Sequence, residues 1–416
     1  MANLARHTET TDVRMRGFMR RDTVEAALVW LDAQLQPLAA ESVPLAAASG
    51  RVLAAPVVAG VNVPQFARAM MDGYAVQARD TEGAAPYNRL PLTVVGQAMP
   101  GRACDTPVQR GQAVRIMTGA PMPCGADAVL PAELTESANS QLVAIGEVTP
   151  GKHVGLIGED VAAGATLLNM SRRLRPQDLG VLSSIGCAQV NVVRQPTVRL
   201  VITGSELLPA GSAPRDYCIA DANGPMLSAL VARDGGVVDF PGLVPDDPIA
   251  ITAALMAPAD VIIVSGGSSV GAEDFVPTLL AEHGELAIHG IAMRPSSPTG
   301  MGRIGDRLVF LLPGNPVSCL CAYDFFAGRA IRKLGGLPAE WQYRPITAKL
   351  ARKLTSVIGR LDYARVQLID GQVEPVAIGG ASILTSTTRA DGFVIVPADS
   401  EGYPTGDEVT VWLYDG

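Results

Sequence analysis

Lysine is scarce. Only Lys152, Lys333, Lys349 and Lys353 occur among 33 basic residues, and Lys and Arg form no extended cluster. With 41 acidic residues the formal charge is −8. That balance excludes a nucleic-acid groove, which needs concentrated positive charge to hold phosphates. Long apolar runs are absent too. Nothing approaches the roughly 18–20 residues that span a bilayer, so no membrane segment is expected. Runs such as those at 261–264 and 308–312 have the length of buried strands. The amino-terminal stretch carries Arg6, Arg14, Arg16, Arg20 and Arg21 with no apolar region behind them. A signal peptide is therefore not expected, and residues 1–20 read as a flexible arm.

The six cysteines (Cys104, Cys124, Cys187, Cys218, Cys319 and Cys321) are scattered. Cys319-Leu320-Cys321 has no second pair and no neighbouring histidine, so a zinc site is not expected and the protein reads as reduced and cytoplasmic. The four histidines (His7, His153, His283 and His289) lack metal-ligand spacing and a Ser or Cys partner, which leaves triad chemistry unsupported. There is no GxxxxGK[ST] phosphate loop. The one GxGxxG match, Gly300-Met301-Gly302-Arg303-Ile304-Gly305, leads into an apolar strand, so it reads as a tight hairpin rather than a dinucleotide site.

What remains is ample apolar material. It makes up 48% of 416 residues against 18% charged. This is enough for two to four domains at roughly 100–200 residues each, and it excludes collagen, coiled coil and wholesale disorder. Asp22-Thr23 can cap a helix with the stripe Val24, Ala27, Leu28, Leu31 and Leu35. From about 50 to 150, short β-rich pieces at 52–58, 90–95, 113–117 and 128–130 are broken by Gly and Pro, the pattern of a small β domain. A helix is expected over 176–185.

From Thr197 the pattern alternates. Strands are expected at 198–202, 237–243, 261–264 and 308–312. Helices are expected over a run capped by Asn223, over 248–256, over 276–282 and over 316–334. Near-continuous apolar strands alternating with helices imply a doubly wound, mostly parallel sheet. The last part, with strands at 366–368, 393–396 and 408–413, returns to β structure.

The polar residues of the α/β part fall directly after its strands. Thr203-Gly204-Ser205-Glu206 follows the first, Pro245-Asp246-Asp247 the second, Ser265-Gly266-Gly267-Ser268-Ser269-Val270-Gly271 with Asp274 the third, and Pro313-Gly314-Asn315-Pro316-Val317-Ser318 the fourth. In a parallel sheet these loops meet at the carboxyl edge, where ligands bind. The glycine- and serine-rich loop at 266–271 and the amino end of the helix at 316 offer N–H groups to an oxyanion or phosphate. Glu206, Asp246 and Asp274 are hard oxygen ligands suited to Mg²⁺, which would reconcile the carboxylates with a phosphate. The plainer alternative has Glu206 and Asp246-Asp247 capping helices and the glycines making turns.

Five motifs, in order, resemble the MoeA/gephyrin E-domain family. They are Met71-Asp72-Gly73-Tyr74-Ala75-Val76, Arg115-Ile116-Met117-Thr118-Gly119-Ala120-Pro121, Gly158-Glu159-Asp160, the 265–274 loop, and Leu312-Pro313-Gly314-Asn315-Pro316-Val317-Ser318. The resemblance implies an elongated N-terminal domain (21–58 and 155–196), an inserted β domain (59–154), a molybdopterin-binding α/β domain (197–337) and a C-terminal β-barrel (338–416). It implies a homodimer with its cleft between subunits, the α/β domain of one facing the inserted domain of the other. The implied reaction inserts molybdate into adenylylated molybdopterin with Mg²⁺, releasing AMP and molybdenum cofactor. A molybdopterin adenylyltransferase would be a partner.

By the same resemblance, Glu206, Asp246 and Asp274 would surround the metal and the pterin phosphate. Asp72, Thr118 and Asp160 would act from the inserted side, and Pro313 and Pro316 would shape the cleft. The pterin would meet Gly204, Ser205, Gly266, Gly267, Ser268, Ser269, Gly271, Arg294, Ser297, Gly314, Asn315 and Ser318. The departures from the family pattern lie at anion-binding positions. Gly155-Leu156-Ile157 replaces a basic run, Arg294-Pro295-Ser296-Ser297-Pro298 stands for Lys-Pro-Gly-Lys-Pro, Ser205 replaces an aspartate, and Ala69 replaces a serine. Two other outcomes therefore stay open: a paralogue acting on another phosphorylated pterin or nucleotide, and a low-turnover cofactor-binding or scaffold protein.

Overall fold

The computed structural model describes residues 21–138, 141–267 and 275–414. The chain forms two compact units. One takes the chain up to Glu41, Gly50–Ala54 and Asn191 onward; the other takes Ser42–Ser49 and Ala55–Val190. Helix α1 (Val24–Ala33) opens the first unit, with Thr23 Oγ1 accepting from Ala26 N at 3.1 Å and Val24, Ala27 and Leu31 buried. This is the expected cap and stripe.

The second unit is built on a six-stranded mixed sheet. Its strands are β1 (Gly73–Val76), β2 (Leu90–Ala98), β3 (Gln112–Ile116), β4 (Ala128–Pro131), β5 (Thr135–Ala138) and β6 (Gln141–Ala144), in the order β4-β1-β3-β2-β6-β5. The expected strand at 52–58 does not form as one piece. Leu53 makes an isolated bridge to Val192 and only Val57–Val58 is a strand, because Pro56 breaks the run by lacking an N–H. Helix α2 (Pro176–Ser184) starts where Asp178 Oδ2 accepts from Arg175 N at 2.9 Å. Arg172 grips the same buried carboxylate from Nε and Nη2, at 3.0 and 2.8 Å.

The first unit contains the α/β sheet. It comprises β7 (Thr197–Thr203), α3 (Asn223–Arg233), β8 (Val237–Asp239), β9 (Leu243–Val244), α4 (Pro248–Met256), β10 (Val261–Ser265), α5 (Val276–His283), β11 (Glu285–His289), β12 (Gly300–Ile304) and β13 (Arg307–Leu312). The order is β8-β7-β10-β13-β12-β11, with β9 also on β7. Strands β7, β8, β9, β10 and β13 run parallel, while β12 returns antiparallel to β13 and closes the expected hairpin. The strand expected at 237–243 is split into β8 and β9, with Phe240–Gly242 between them.

Alternate residues of each strand face opposite sides. Val198, Leu200, Ile263 and Phe310 pack with Leu227 and Val231 of α3 on one face. Val201, Ile262, Val264 and Leu311 pack with Ile251 and Leu280 of α4 and α5 on the other. The helix expected at 316–334 is continuous but not uniform. α6 (Pro316–Ala322) and α7 (Gly328–Leu334) flank a π-helical turn at Tyr323–Ala327.

Five strands close a barrel at the carboxyl end of the chain: β14 (Arg344–Leu350), β15 (Leu361–Ile369), β16 (Gln372–Ala377), β17 (Gly392–Val396) and β18 (Glu408–Leu413). The ring runs β15-β16-β14-β18-β17 and back to β15. The π turn aims Asp324 at this barrel. Asp324 Oδ1 accepts from Arg233 Nη2 at 3.1 Å and from Tyr343 Oη at 3.0 Å, and its carbonyl accepts from Trp341 Nε1 at 2.9 Å. Asp234 accepts from Tyr323 Oη at 3.0 Å and lies 3.1 Å from Arg332 Nη1.

The Arg172–Asp178 contact predicts a pH-dependent share of stability. Hydrogen bonds from Arg172 hold the Asp178 carboxyl well below the ordinary carboxylate range. Its contribution is therefore complete above the unfolded value of about 4 and is lost as pH falls through the lower folded value. Asp178→Asn is expected to cost about 2 kcal/mol at neutral pH in denaturant unfolding, with the gap to wild type closing in acid. A constant gap would refute the assignment.

Candidate functional site

The carboxyl edge of the parallel sheet gathers the expected loops. After β7 the chain turns sharply, Leu207 N bonding to Gly204 O at 3.1 Å, and Ser205 and Glu206 are exposed. Glu206 folds back over this turn, since a Cβ on Gly204 would lie 2.8 Å from its Oε2. Asp246 and Asp247 divide their tasks. Asp247 caps α4 through Ile249 N and Ala250 N, at 3.0 and 3.2 Å. Asp246 instead accepts from Thr203 Oγ1 at 3.1 Å, at the end of β7. The capping alternative thus holds for Asp247 and not for Asp246.

Gly266 has φ +102°, and a Cβ there would sit 2.0 Å from Thr203 O, so only glycine lets β10 leave the sheet beside β7. At Gly267 a Cβ would lie 4.0 Å from Asp246 Oδ1, which brings that loop to the carboxylate. Ser268, Ser269, Gly271 and Asp274 lie outside the described residues. Among the described residues no group of three His, Cys, Asp or Glu could hold a metal ion. Glu206 and Asp246 remain as two hard ligands. Mg²⁺ commonly takes one or two carboxylates and fills the rest of its shell with water and substrate phosphate, and the oxygen chemistry of either carboxylate suits that role.

The fourth loop differs from expectation. Pro313 is buried, while Gly314 and Asn315 are exposed. The amino end of α6 does not offer free donors, because Val317 N and Ser318 N both point at Ala381 O, at 3.0 and 3.4 Å. Pro316 has no N–H. A carbonyl from the barrel has taken the place assigned to an anion. Arg294 is also engaged: it donates to Asp362 from Nε at 2.9 Å and again from Nη2, and Asp362 has no solvent exposure. Beside it, Ser296 has φ +97° and its hydroxyl donates to Ser318 O at 2.6 Å, while Ser297 Oγ is buried without a partner among the described residues. The cation expected at Arg294 is therefore already neutralised by the barrel.

Sequence reasoning missed Asp221 and Arg365 and gave Asn223 the wrong task. Asp221, not Asn223, caps α3, its Oδ1 accepting from Asn223 N and Gly224 N at 2.9 Å each. Asn223 lies in the first turn and donates from Nδ2 to Ser265 Oγ at 2.9 Å and Gly314 O at 2.7 Å. The available signal was a carboxylate two residues ahead of an amide at a helix start. Arg365 on β15 is fully buried, with Nη2 donating to Gly379 O and with Nε and Nη1 unpartnered among the described residues. The signal was an arginine flanked by Ala364 and Val366 in a barrel strand. Burial lowers its affinity for its proton, and no carboxylate pairs with it among the described residues. Cys319 is no nucleophile, since burial pushes its thiol up to about 12.

In the second unit two of the signature segments meet directly, and the third, at 158–160, bonds to the stretch 63–68 that leads into the first. Ala69 N bonds to Ala120 O and Gly119 N to Ala69 O, Met70 N bonds to His153 O, and Gly158 N to Pro64 O. Asp72 Oδ1 accepts from both Thr118 N and Thr118 Oγ1 at 2.7 Å. Those two bonds, the backbone one first, lower the Asp72 carboxyl. Asp160 is exposed on the turn after Gly158. Where a basic run was expected, Leu156 and Ile157 are exposed. Glu159 closes their turn by accepting from Leu156 N at 3.0 Å and from Arg68 Nη2 at 3.1 Å.

Comparison with known proteins covers nearly the whole chain. Residues 22–186 match the MoeA N-terminal region (domain I and II), 199–333 a probable molybdopterin binding domain, and 347–414 the MoeA C-terminal region (domain IV). A protein of Mycobacterium tuberculosis named molybdopterin molybdenumtransferase 2 is 36% identical over 386 residues, covering 89% of this chain and 94% of that one. A molybdopterin molybdenumtransferase of Staphylococcus aureus is 30% identical over 398 residues, covering 94% and 95%. The crystal structure of a molybdopterin biosynthesis MoeA protein from Pyrococcus horikoshii superimposes with a TM-score of 0.77 at 30% identity, covering 95% of this chain and all of that one.

The Asp72–Thr118 pair yields a direct test. Thr118→Ala removes the hydroxyl donor and keeps the backbone one. The Asp72 carboxyl is expected to titrate higher than in wild type but still below the ordinary aspartate value of about 3.9, as read by NMR. An unshifted titration would show that the hydroxyl contributes nothing.

Proposed function

The chain belongs to the MoeA family, and on that footing we propose that it acts as a molybdopterin molybdenumtransferase, inserting molybdate into adenylylated molybdopterin with release of AMP and molybdenum cofactor. The observation that carries the reading is the carboxyl edge itself: Thr203, Asp246, the Gly266-Gly267 turn and Gly314 meet at the ends of four parallel strands. Ligands bind at such edges, and backbone N–H groups there can receive a phosphate.

Mg²⁺, held by Glu206 and Asp246 and by Asp274 if that residue joins them, would neutralise the pyrophosphate charge. The protein's own task is to bind and orient. Buried Arg365, with two guanidinium nitrogens unpartnered among the described residues, is suited to the tetrahedral oxyanion molybdate, which would balance a charge that no described carboxylate pairs. The loop that receives Arg365 at Gly379 O also reaches the start of α6 through Ala381 O, so the oxyanion would lie near the Pro313–Ser318 turn. Asp72, Thr118 and Asp160 would act from the inserted domain of the other subunit in a homodimer. A molybdopterin adenylyltransferase would supply the substrate, and the cytoplasm is the compartment of both.

One observation favours a second reading. Arg294 is spent on Asp362 and Ser297 stands where the family carries a lysine, which suits a paralogue acting on a less highly charged pterin or nucleotide.

The deciding experiment is AMP release from adenylylated molybdopterin by the purified protein with Mg²⁺, with and without molybdate. Molybdate-dependent release is expected. Tight binding without release would mean a carrier or scaffold, and no binding would mean another substrate. Arg365→Met keeps the volume and removes the charge. It is expected to raise the KM for molybdate roughly ten- to a hundredfold, the worth of a charge-assisted hydrogen bond.

A further inference from the structure

We propose that Asn223 is a positioning residue that sets the spacing between the two glycine turns of the site, the one after β10 and the one after β13, and that turnover depends on this spacing. The inference rests on the functional reading above.

Asn223 is 7% exposed, and its backbone N–H already goes to Asp221 Oδ1, as does that of Gly224. The start of α3 is capped without the Asn223 side chain. That side chain instead spends both amide donors across the sheet edge. One goes to Ser265, the last residue of β10, at 2.9 Å; the other goes to the carbonyl of Gly314, just beyond β13, at 2.7 Å. The two turns are neighbours at this point, since a Cβ on Gly314 would stand 3.8 Å from Gly266 Cα. The amide thus bridges the backbones that would face a phosphate. Its Oδ1 is buried and has no partner among the described residues. A residue kept only to fill space would not carry an unsatisfied acceptor, because an aliphatic side chain fills the same volume without that cost.

Donors preorganised around a reacting phosphate lose their effect when displaced by a fraction of an ångström. Asn223→Asp is the incisive substitution because it keeps the shape and puts an acceptor where Nδ2 was. The Ser265 hydroxyl can turn and donate to it, but the Gly314 carbonyl cannot. Protonation of the new carboxyl restores a donor toward Gly314 O.

Two quantities are measured across pH for wild type, Asn223→Asp and Asn223→Ala: kcat/KM for molybdate-dependent AMP release, and the Kd of AMP by calorimetry. Both variants are expected to lose about tenfold or more in each at neutral pH. The Asp variant is expected to recover, relative to wild type, as pH falls toward the ordinary carboxyl range of about 4, while the Ala variant does not. If the Asp variant shows no cooperative unfolding transition, the Ala variant, which adds no charge, carries the test through its loss at neutral pH. Wild-type values in either variant, or a loss in the Asp variant that does not recover in acid, would overturn the inference while leaving the function intact. If wild type releases no AMP but the AMP affinities follow this pattern, the functional reading fails and the positioning role stands.

Discussion

Two aspartates with no solvent exposure, Asp234 and Asp324, set the constraint on which the larger unit depends. Removing a carboxylate from water costs several kcal/mol, and only well-placed partners offset it. The partners come from three places in the chain: Arg233 at the end of α3, Arg332 in α7 and Tyr343 at the entry to the barrel. Burial pushes the Asp324 carboxyl upward, and Arg233, lying 4.9 Å over the Tyr343 ring, opposes that push. The π turn at Tyr323–Ala327 follows from the same demand. It places Tyr323 against Asp234 and Asp324 against the barrel within adjacent residues, a placement that interrupts the regular α-helical hydrogen bonding. Around this ionic centre Phe325, Trp341, Tyr363, Phe393 and Trp412 pack edge to face and stacked, so the α/β sheet and the barrel share one core.

That shared core has consequences at the carboxyl edge. Once the barrel is held against α6, its 379–381 loop covers the start of that helix, and Ala381 O takes the N–H groups an anion could have used. Asp362 at the start of β15 draws Arg294 in the same way. The barrel therefore removes two of the electrostatic elements that a reading of the α/β part alone would assign to phosphate. It also encloses the guanidinium of Arg365, whose Nε and Nη1 have no partner among the described residues. In such an enclosed position a low dielectric would strengthen attraction for an oxyanion.

The division of labour among the carboxylates is equally physical. Asp247 and Asp221 are consumed by helix starts, each accepting from two backbone N–H groups. Among the described residues Asp246 has a single hydroxyl donor, and Glu206 lies exposed on its turn. Neither is committed to a helix start, which suits these two better to a cation than the capping pair.

Much of this was legible in the sequence, and for definable reasons. Apolar runs bounded by Gly and Pro located β7, β10 and β13 to within a residue or two, because a strand buried on both faces has no other way to be written. The Asp22-Thr23 cap, the hairpin at Gly305 and the polar loops after each parallel strand were readable because their determinants are local: a hydroxyl before a helix, a glycine in a turn, a fixed strand direction. What the sequence could not determine was where each polar group spends its hydrogen bonds. Asn223 looked like a cap until Asp221 took that place, Arg294 looked like an anion donor until Asp362 met it, and Arg365, which drew no reading at all, is buried without a carboxylate among the described residues. Those outcomes depend on contacts between residues tens of positions apart, and a buried polar group answers to whichever partner the packed chain brings within about 3 Å. Local patterns decide the elements; only the tertiary structure decides which charges are spent and which are left to act.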